Sequence, residues 1–232
     1  MITLMAAFGL ALAGSAWGGP AFLVFDETTS PNSRYVFAWG LPEKYKVNWD
    51  EVRKSTTDPL DALGEVEDDV ENYLVDVKGE KILAKFPSAQ AWRLPGGAHG
   101  NHRDLQVRWS SGSRVAVAIY SLKWGYSSFE AFRVVNEKVS APLEIGTPIE
   151  KAWREYLERK TGDRYRSKKD DLVVSFGSIQ YERGWTFSVE SYAEIPKSDA
   201  EEDTFPERRI RFALSPSGES GLKVEVLGIG ND

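Results

Sequence analysis

Cysteine is absent from the 232 residues of this chain. Without cysteine the protein has no disulfide, no site for lipoprotein attachment and no thiolate for catalysis. An exported chain without disulfides must be stabilised by its hydrophobic core alone. The sequence therefore excludes a small disulfide-stapled ectodomain and is more typical of a bacterial envelope or secreted protein.

Histidine is nearly absent, since His99 and His102 are the only two. A Ser-His-Asp triad would need one of them as its base, and no G-x-S-x-G motif presents a nucleophilic serine. Phosphate-cradling glycine loops and dinucleotide fingerprints are also missing, so we expect no cofactor. With Asp104 nearby, His99 and His102 leave one alternative open, a metal site serving a metal-dependent hydrolase. The sequence otherwise favours a protein that is not an enzyme.

Charged side chains are missing from residues 1–25. An apolar stretch, Ile2 to Leu12, is followed by small residues at Gly14, Ala16 and Gly18, which is typical of a secretory signal peptide. We therefore predict a signal peptide over residues 1–18, cleaved after Ala16 or Gly18, and export to the periplasm, the cell envelope or the medium. An uncleaved membrane anchor is the alternative, and a cleaved chain would have no transmembrane domain.

Basic residues are outnumbered by acidic ones, and the net charge is −6. Binding to phosphate backbones needs a basic face, so this balance argues against a nucleic-acid partner. A hydrophobic content of 41% is ordinary for a folded globule. Most of the eight tryptophans should lie in the core, and a minority could line a binding surface.

The central stretch from His102 to Val135 has the pattern of consecutive β-strands. Leu105, Val107 and Trp109 alternate with polar residues, as in a half-buried strand. The run Val115 to Tyr120 is apolar throughout, which predicts a central strand covered on both faces. An ordinary antiparallel meander and a true repeat unit are both open alternatives here.

Two serine-rich turns precede apolar runs in matching fashion. The first reads Ser30-Pro31-Asn32-Ser33-Arg34-Tyr35, and the second reads Trp109-Ser110-Ser111-Gly112-Ser113-Arg114. Each turn begins and ends with serine and is followed by arginine. These segments resemble the "W-S-P-D-G-R" turns of TolB-type β-propeller repeats, in which each blade is a four-stranded antiparallel sheet. Over Phe22–Ile145 the resemblance implies two blade-like units and a binding function. Two blades cannot close a ring, so an incomplete or modified propeller piece is implied.

The C-terminal part has a different pattern. Thr147 and Glu150 predict a capped helix start, Gly162 predicts its end, and an apolar stripe runs from Ile149 to Leu157. Later segments alternate apolar and charged residues, as in a sheet solvated on one side. We expect the helical stripe to cover the apolar face of that sheet.

These patterns together predict a mainly β fold, with α+β as the alternative class. Residues 19–145 form the β-rich blade-like region, and residues 146–232 form a helix with an antiparallel sheet. The second region is either separate or continuous with the first.

The recognition residues suggested by the sequence are aromatic. Trp92, Trp124 and Tyr126 lie in loops with glycine and serine, a composition typical of binding loops. We expect an exported binding or structural module and leave protein, peptide and glycan partners open. The Lys123–Ser128 turn is also similar to loops that periplasmic lysozyme inhibitors insert into the enzyme. Inhibition of a cell-wall hydrolase is therefore a further alternative.

Overall fold

The computed structural model describes residues 22–41, 45–54, 61–86, 105–122, 125–195, 204–218 and 221–230. Three antiparallel sheets follow one another along the chain. The first and third contain four strands in sequential order, and the second contains four in sequential order and a fifth that pairs beside them. The predicted mainly β class, with blade-like units followed by a helix and a C-terminal sheet, is confirmed.

The first sheet consists of β1 (Phe22–Val24), β2 (Tyr35–Gly40), β3 (Glu71–Asp76) and β4 (Lys81–Phe86). Strands β2 and β3 pair although 30 residues separate them, so the charged segment between them is an insertion. It contains the short helix α1 (Trp49–Lys54) and a 3₁₀ segment at Asp61–Asp69.

The second sheet consists of β5 (Leu105–Trp109), β6 (Val115–Ser121), β7 (Tyr126–Val135) and β8 (Lys138–Val139). A further short strand, β9 (Leu143–Glu144), also pairs with β7. Strand β6 is buried from Val115 to Tyr120, as its unbroken apolar sequence predicted.

The third sheet consists of β10 (Val173–Arg183), β11 (Thr186–Glu194), β12 (Thr204–Ser217) and β13 (Gly221–Gly230). Its outer face carries paired charges, for example Arg209 with Glu190 and Arg211 with Glu182. Its inner face is apolar and includes Phe187, Val189 and Phe212. The prediction of one solvated and one buried face is therefore confirmed.

The second sheet is the middle layer of the molecule. Side chains on one of its faces, including Trp109 and Phe132, share a core with the first sheet. Side chains on its other face, including Val117 and Phe129, share a second core with the third sheet. This layering explains why β6 has no solvated face, since apolar area is removed from water on both sides.

The helix α2 (Gly146–Thr161) closes the second core, and a short helix α3 (Asp163–Arg166) follows it. Ile149, Trp153 and Leu157 of α2 are buried there, as the apolar stripe predicted. Burial of Trp153, which is 0% exposed, contributes about 2–3 kcal/mol.

The prediction for the two ends of α2 is wrong at the N-terminal end and correct at the C-terminal end. Helix α2 begins at Gly146, so Thr147 lies inside the first turn and does not cap it. The Glu144 carboxylate accepts a hydrogen bond from the Thr147 N–H at 2.8 Å instead. Glu150 bonds to Arg154 at 2.7 Å, so it completes no capping box. Gly162 ends the helix with φ of 52°, as predicted.

Four of the tryptophans, Trp39, Trp49, Trp109 and Trp153, are buried, which agrees with their expected core role. No helix within the described part of the chain is long and apolar enough to cross a membrane.

Candidate binding cleft between two serine turns

The two serine-rich turns have the same hydrogen-bonded geometry. In the first, which spans Ser30–Ser33, the Ser30 N–H donates to the Tyr35 carbonyl and the Ser33 N–H donates to the Ser30 carbonyl, each at 2.8 Å. The Ser30 hydroxyl also accepts the Tyr35 N–H at 2.9 Å. The fourth residue, Ser33, has a positive φ of 54°.

The second turn, Ser110–Ser113, repeats each of these features. The Ser110 N–H donates to the Val115 carbonyl and the Ser113 N–H to the Ser110 carbonyl, each at 2.8 Å. The Ser110 hydroxyl accepts the Val115 N–H at 3.1 Å, and Ser113 has a φ of 55°. The first serine of each turn therefore serves the same purpose, which is to fix the start of the next strand. We call these segments the two serine turns.

Layer packing brings the two serine turns into contact. The Asn32 N–H of the first turn donates to the Ser113 hydroxyl of the second at 3.0 Å, across 81 sequence positions. The Asn32 side-chain oxygen meanwhile accepts the Arg34 N–H and the Ser30 hydroxyl within its own turn. The two turns are thus held edge to edge at one end of the first and second sheets.

A cleft of about 720 Å³ opens beside this contact. It is lined by the turns, by the end of β7 and by the β7–β8 turn, and we call it the interturn cleft. Its lining contains three arginines and one acid, namely Arg34, Arg114, Arg133 and Glu137. The arginines that follow both serine turns in the sequence therefore reach the same cavity.

Arg34 is held by a buried carboxylate. Asp76, which is 0% exposed, accepts hydrogen bonds from the Arg34 Nε and Nη2 atoms at 2.9 and 2.6 Å. It also accepts the N–H groups of Gly79 and Lys78. Burial acts to raise the pKa of Asp76, but the hydrogen bonds from Arg34 and from these N–H groups outweigh it, and the pKa lies below its ordinary value.

A second carboxylate already lies between two of the cations. Glu137 accepts hydrogen bonds from Lys81 and from Arg34. These two bonds, that from Lys81 first, hold the pKa of Glu137 below its ordinary value. At the cleft, therefore, one carboxylate of the chain already bridges two basic side chains.

Arg114 differs from the other two arginines in its surroundings. It is exposed, and its guanidinium makes no ion pair or hydrogen bond with any residue that the structure describes. Arg133 is half-buried and lies over the Trp185 ring, 5.5 Å from its centre. The cleft thus combines a fixed cation at Arg34 with an accessible one at Arg114.

Among the site residues predicted from the sequence, only Tyr126 lies in the described part of the chain, and it does not line the interturn cleft. Trp92, Trp124, Lys123, His99 and His102 lie outside the described residues, so their predicted roles stay predictions. No group of three or more histidine, aspartate or glutamate side chains able to hold a metal occurs within the described ranges.

Tyr126 is half-buried and packs against Phe129 and Phe176 of the second core. Its hydroxyl donates to Glu150 at 3.2 Å, and burial, followed by the charge of Glu150, raises the pKa of Tyr126. A Cβ atom added at Gly146 would lie only 2.5 Å from the Tyr126 ring, so this packing is tight. The inhibitor alternative therefore depends mainly on Lys123 and Trp124.

The arginine after each serine turn is visible in the sequence, but no local pattern indicates a role for it. The repeated pattern of a serine turn followed by arginine is the available signal, whereas the contact between the turns depends on sheet packing.

We compared the chain with protein-family models, with curated proteins and with solved structures, and none of these comparisons found a match. The resemblance of Phe22–Ile145 to propeller repeats therefore stays a prediction.

Proposed function

We propose that this chain is an exported, non-enzymatic binding module whose binding surface is the interturn cleft. The observation that carries the proposal is the convergence of two matched turns, joined by a hydrogen bond across 81 positions, on one open cavity with an accessible arginine. Arginine is enriched at binding surfaces, and its planar guanidinium can make several directed hydrogen bonds.

The packing of the aromatic side chains supports the choice of this surface. Of the three aromatic residues predicted to bind a partner, Tyr126 is the one that the structure describes, and it packs against the core beneath α2. Most other large aromatic side chains are buried as well, and Ile82, Tyr192 and Leu227 are the exposed large hydrophobic residues among those described. Ile82 lies on the first sheet, whereas Tyr192 and Leu227 lie on two strands of the third sheet that β12 separates, so the three form no single apolar recognition patch.

Export is the second part of the proposal. It is supported by the uncharged residues 1–25, by the small residues at Ala16 and Gly18 and by the absence of cysteine. Such a protein would meet its partner in the periplasm, in the envelope or outside the cell.

A capture experiment tests the binding function. The purified chain is immobilised and incubated with cell-envelope extract, beside the variants Arg114→Glu and Arg159→Glu. Arg159 is an exposed residue of α2 and provides a matched charge reversal far along the chain from the cleft. We expect the unaltered chain and the Arg159→Glu variant to capture the same partner. The Arg114→Glu variant should fail to capture it. Equal capture by all three proteins would show that the cleft is not the binding surface.

A further inference from the structure

The charge of the interturn cleft is opposite to that of the whole chain. On its lining, in the adjoining β3–β4 and β7–β8 turns and at the residues that flank these turns, six basic residues lie with three acidic ones. The basic residues are Arg34, Lys78, Lys81, Arg114, Arg133 and Lys138, and the acidic ones are Asp76, Glu80 and Glu137. The complete chain, by contrast, carries −6. A local basic cleft on an acidic protein attracts a short anionic group.

Two basic groups at the cleft, those of Lys78 and Arg114, form no ion pair with a carboxylate among the described residues. The Lys78 ammonium donates to the Asn32 carbonyl at 3.1 Å, which is an uncharged partner. The Arg114 guanidinium has no partner within the described part of the chain. Arg34, beside them, is oriented by the buried Asp76 and has lost much of its side-chain freedom before any ligand arrives. Preorganisation of this kind lowers the entropic cost of binding.

The character of the cleft narrows the class of ligand. Small-molecule pockets are mostly apolar, whereas most side chains that line this cleft are charged or polar and Val134 and Val135 are its only aliphatic members among the described residues. Tyr35 in the lining is 8% exposed and lies beneath the Arg34 guanidinium, so it offers no open ring for stacking against a sugar. A long polyanion such as nucleic acid would meet repulsion from the acidic remainder of the surface.

Resting on the proposed function, we infer that the interturn cleft binds an acidic segment of a partner polypeptide, with Arg114 as the principal contact and Lys78 beside it. Clusters of arginine are a recurrent means of binding acidic motifs, because the guanidinium pairs with carboxylates through two hydrogen bonds. The Glu137 carboxylate, bonded to both Arg34 and Lys81, displays the same chemistry within the chain itself.

Fluorescence anisotropy with a labelled oligoglutamate peptide tests this inference, and an oligoglutamine peptide of equal length is the comparison. We expect the full chain to bind the glutamate peptide and not the glutamine peptide. Binding should weaken as salt is raised, because the contact is a solvent-accessible charge pair. Arg114→Gln should weaken binding about fivefold, while Arg159→Gln, which removes the same charge from the exposed face of α2, should leave it unchanged.

Equal binding of the two peptides, or an unchanged affinity in Arg114→Gln, would overturn the inference. Circular dichroism of each variant checks that folding is retained, and the exposed position of Arg114 leads us to expect that it is. Duplex DNA and heparin serve as competitors, and binding of either as tightly as the glutamate peptide would show a general anion surface instead.

The capture experiment separates this inference from the proposed function. A partner captured through Arg114 but not displaced by oligoglutamate would leave the binding function standing and remove the acidic-segment inference. If no partner depends on Arg114, the proposed function itself fails.

Discussion

At the scale of single residues, the buried carboxylate of Asp76 is the group on which the cleft depends. Asp76→Asn keeps an acceptor for Gly79 and Lys78 but removes the charge that orients Arg34. We expect the free energy of unfolding at pH 7 to fall by about 1–3 kcal/mol. Urea unfolding measures this, and Glu80→Gln, an exposed residue of the same turn, is the control that should change little.

The pH dependence of the Asp76 effect follows from the direction of its pKa shift. The folded-state pKa is lowered, so its stabilising contribution is present above the unfolded-state pKa of about 4 and is lost as the pH falls through the folded value. The difference between the unaltered chain and Asp76→Asn should therefore shrink in acid. A difference that grows below pH 4 would contradict this account.

Glu130 shows the opposite behaviour. It lies directly across from Glu144 in the pairing of β7 with β9, and burial, followed by the charge of Glu144, raises its pKa. A raised carboxyl pKa means that the ionised form costs stability at neutral pH and that this cost disappears as the pH falls through the folded value. We expect Glu130→Gln to raise the free energy of unfolding at pH 7 by about 0.2–1 kcal/mol, measured by urea unfolding.

Glu144→Gln provides the contrast. It also removes the like-charge contact, but the Glu144 carboxylate accepts the Thr147 N–H at the start of α2. The increase in the free energy of unfolding should therefore be smaller for Glu144→Gln than for Glu130→Gln. If Glu130→Gln lowers stability at neutral pH, the repulsion argument is wrong.

At the scale of elements, α2 is held by its buried stripe. Trp153 is fully buried and stacks on Tyr156, with ring centres 5.4 Å apart. We expect Trp153→Ala to lower the free energy of unfolding by about 3–5 kcal/mol, because it leaves a cavity between the second and third sheets. Lys151→Ala, on the exposed face of the same helix, should change it by less than about 0.5 kcal/mol. Similar losses for both variants in chemical denaturation would place Trp153 outside the core.

The elements themselves were largely predictable, because alternation and turn residues are local signals. For that reason the sequence predicts Gly162 as the end of α2 and β6 as a strand covered on both faces, and the structure confirms both. The start of α2 is less predictable, since Glu144, whose carboxylate accepts the Thr147 N–H, precedes the Thr147–Glu150 segment that resembles a capping box. Lys78-Gly79 is typical of a two-residue hairpin loop, yet the β3–β4 turn spans four residues, Val77–Glu80.

At the scale of the whole molecule, the export proposal makes a prediction about the mature chain. Protein isolated from the envelope or the medium should begin at Trp17 or Gly19, since cleavage is expected after Ala16 or Gly18. N-terminal sequencing measures this directly. Recovery of the protein from the cytoplasm with residues 1–18 intact would contradict export, and an intact membrane-bound chain would favour the uncleaved anchor.

The sequence by itself determined the strands, the buried stripe of α2 and the identity of the two serine turns. Each of these depends on the order of neighbouring residues, whose periodicity decides which side chains share a face. Only the tertiary structure decided which sheet is central and that Asn32 meets Ser113 across 81 positions. Contacts between layers arise where apolar faces remove each other from water, and no local pattern specifies which faces will meet. The convergence of Arg34 and Arg114 on one cleft is therefore a property of the packed sheets.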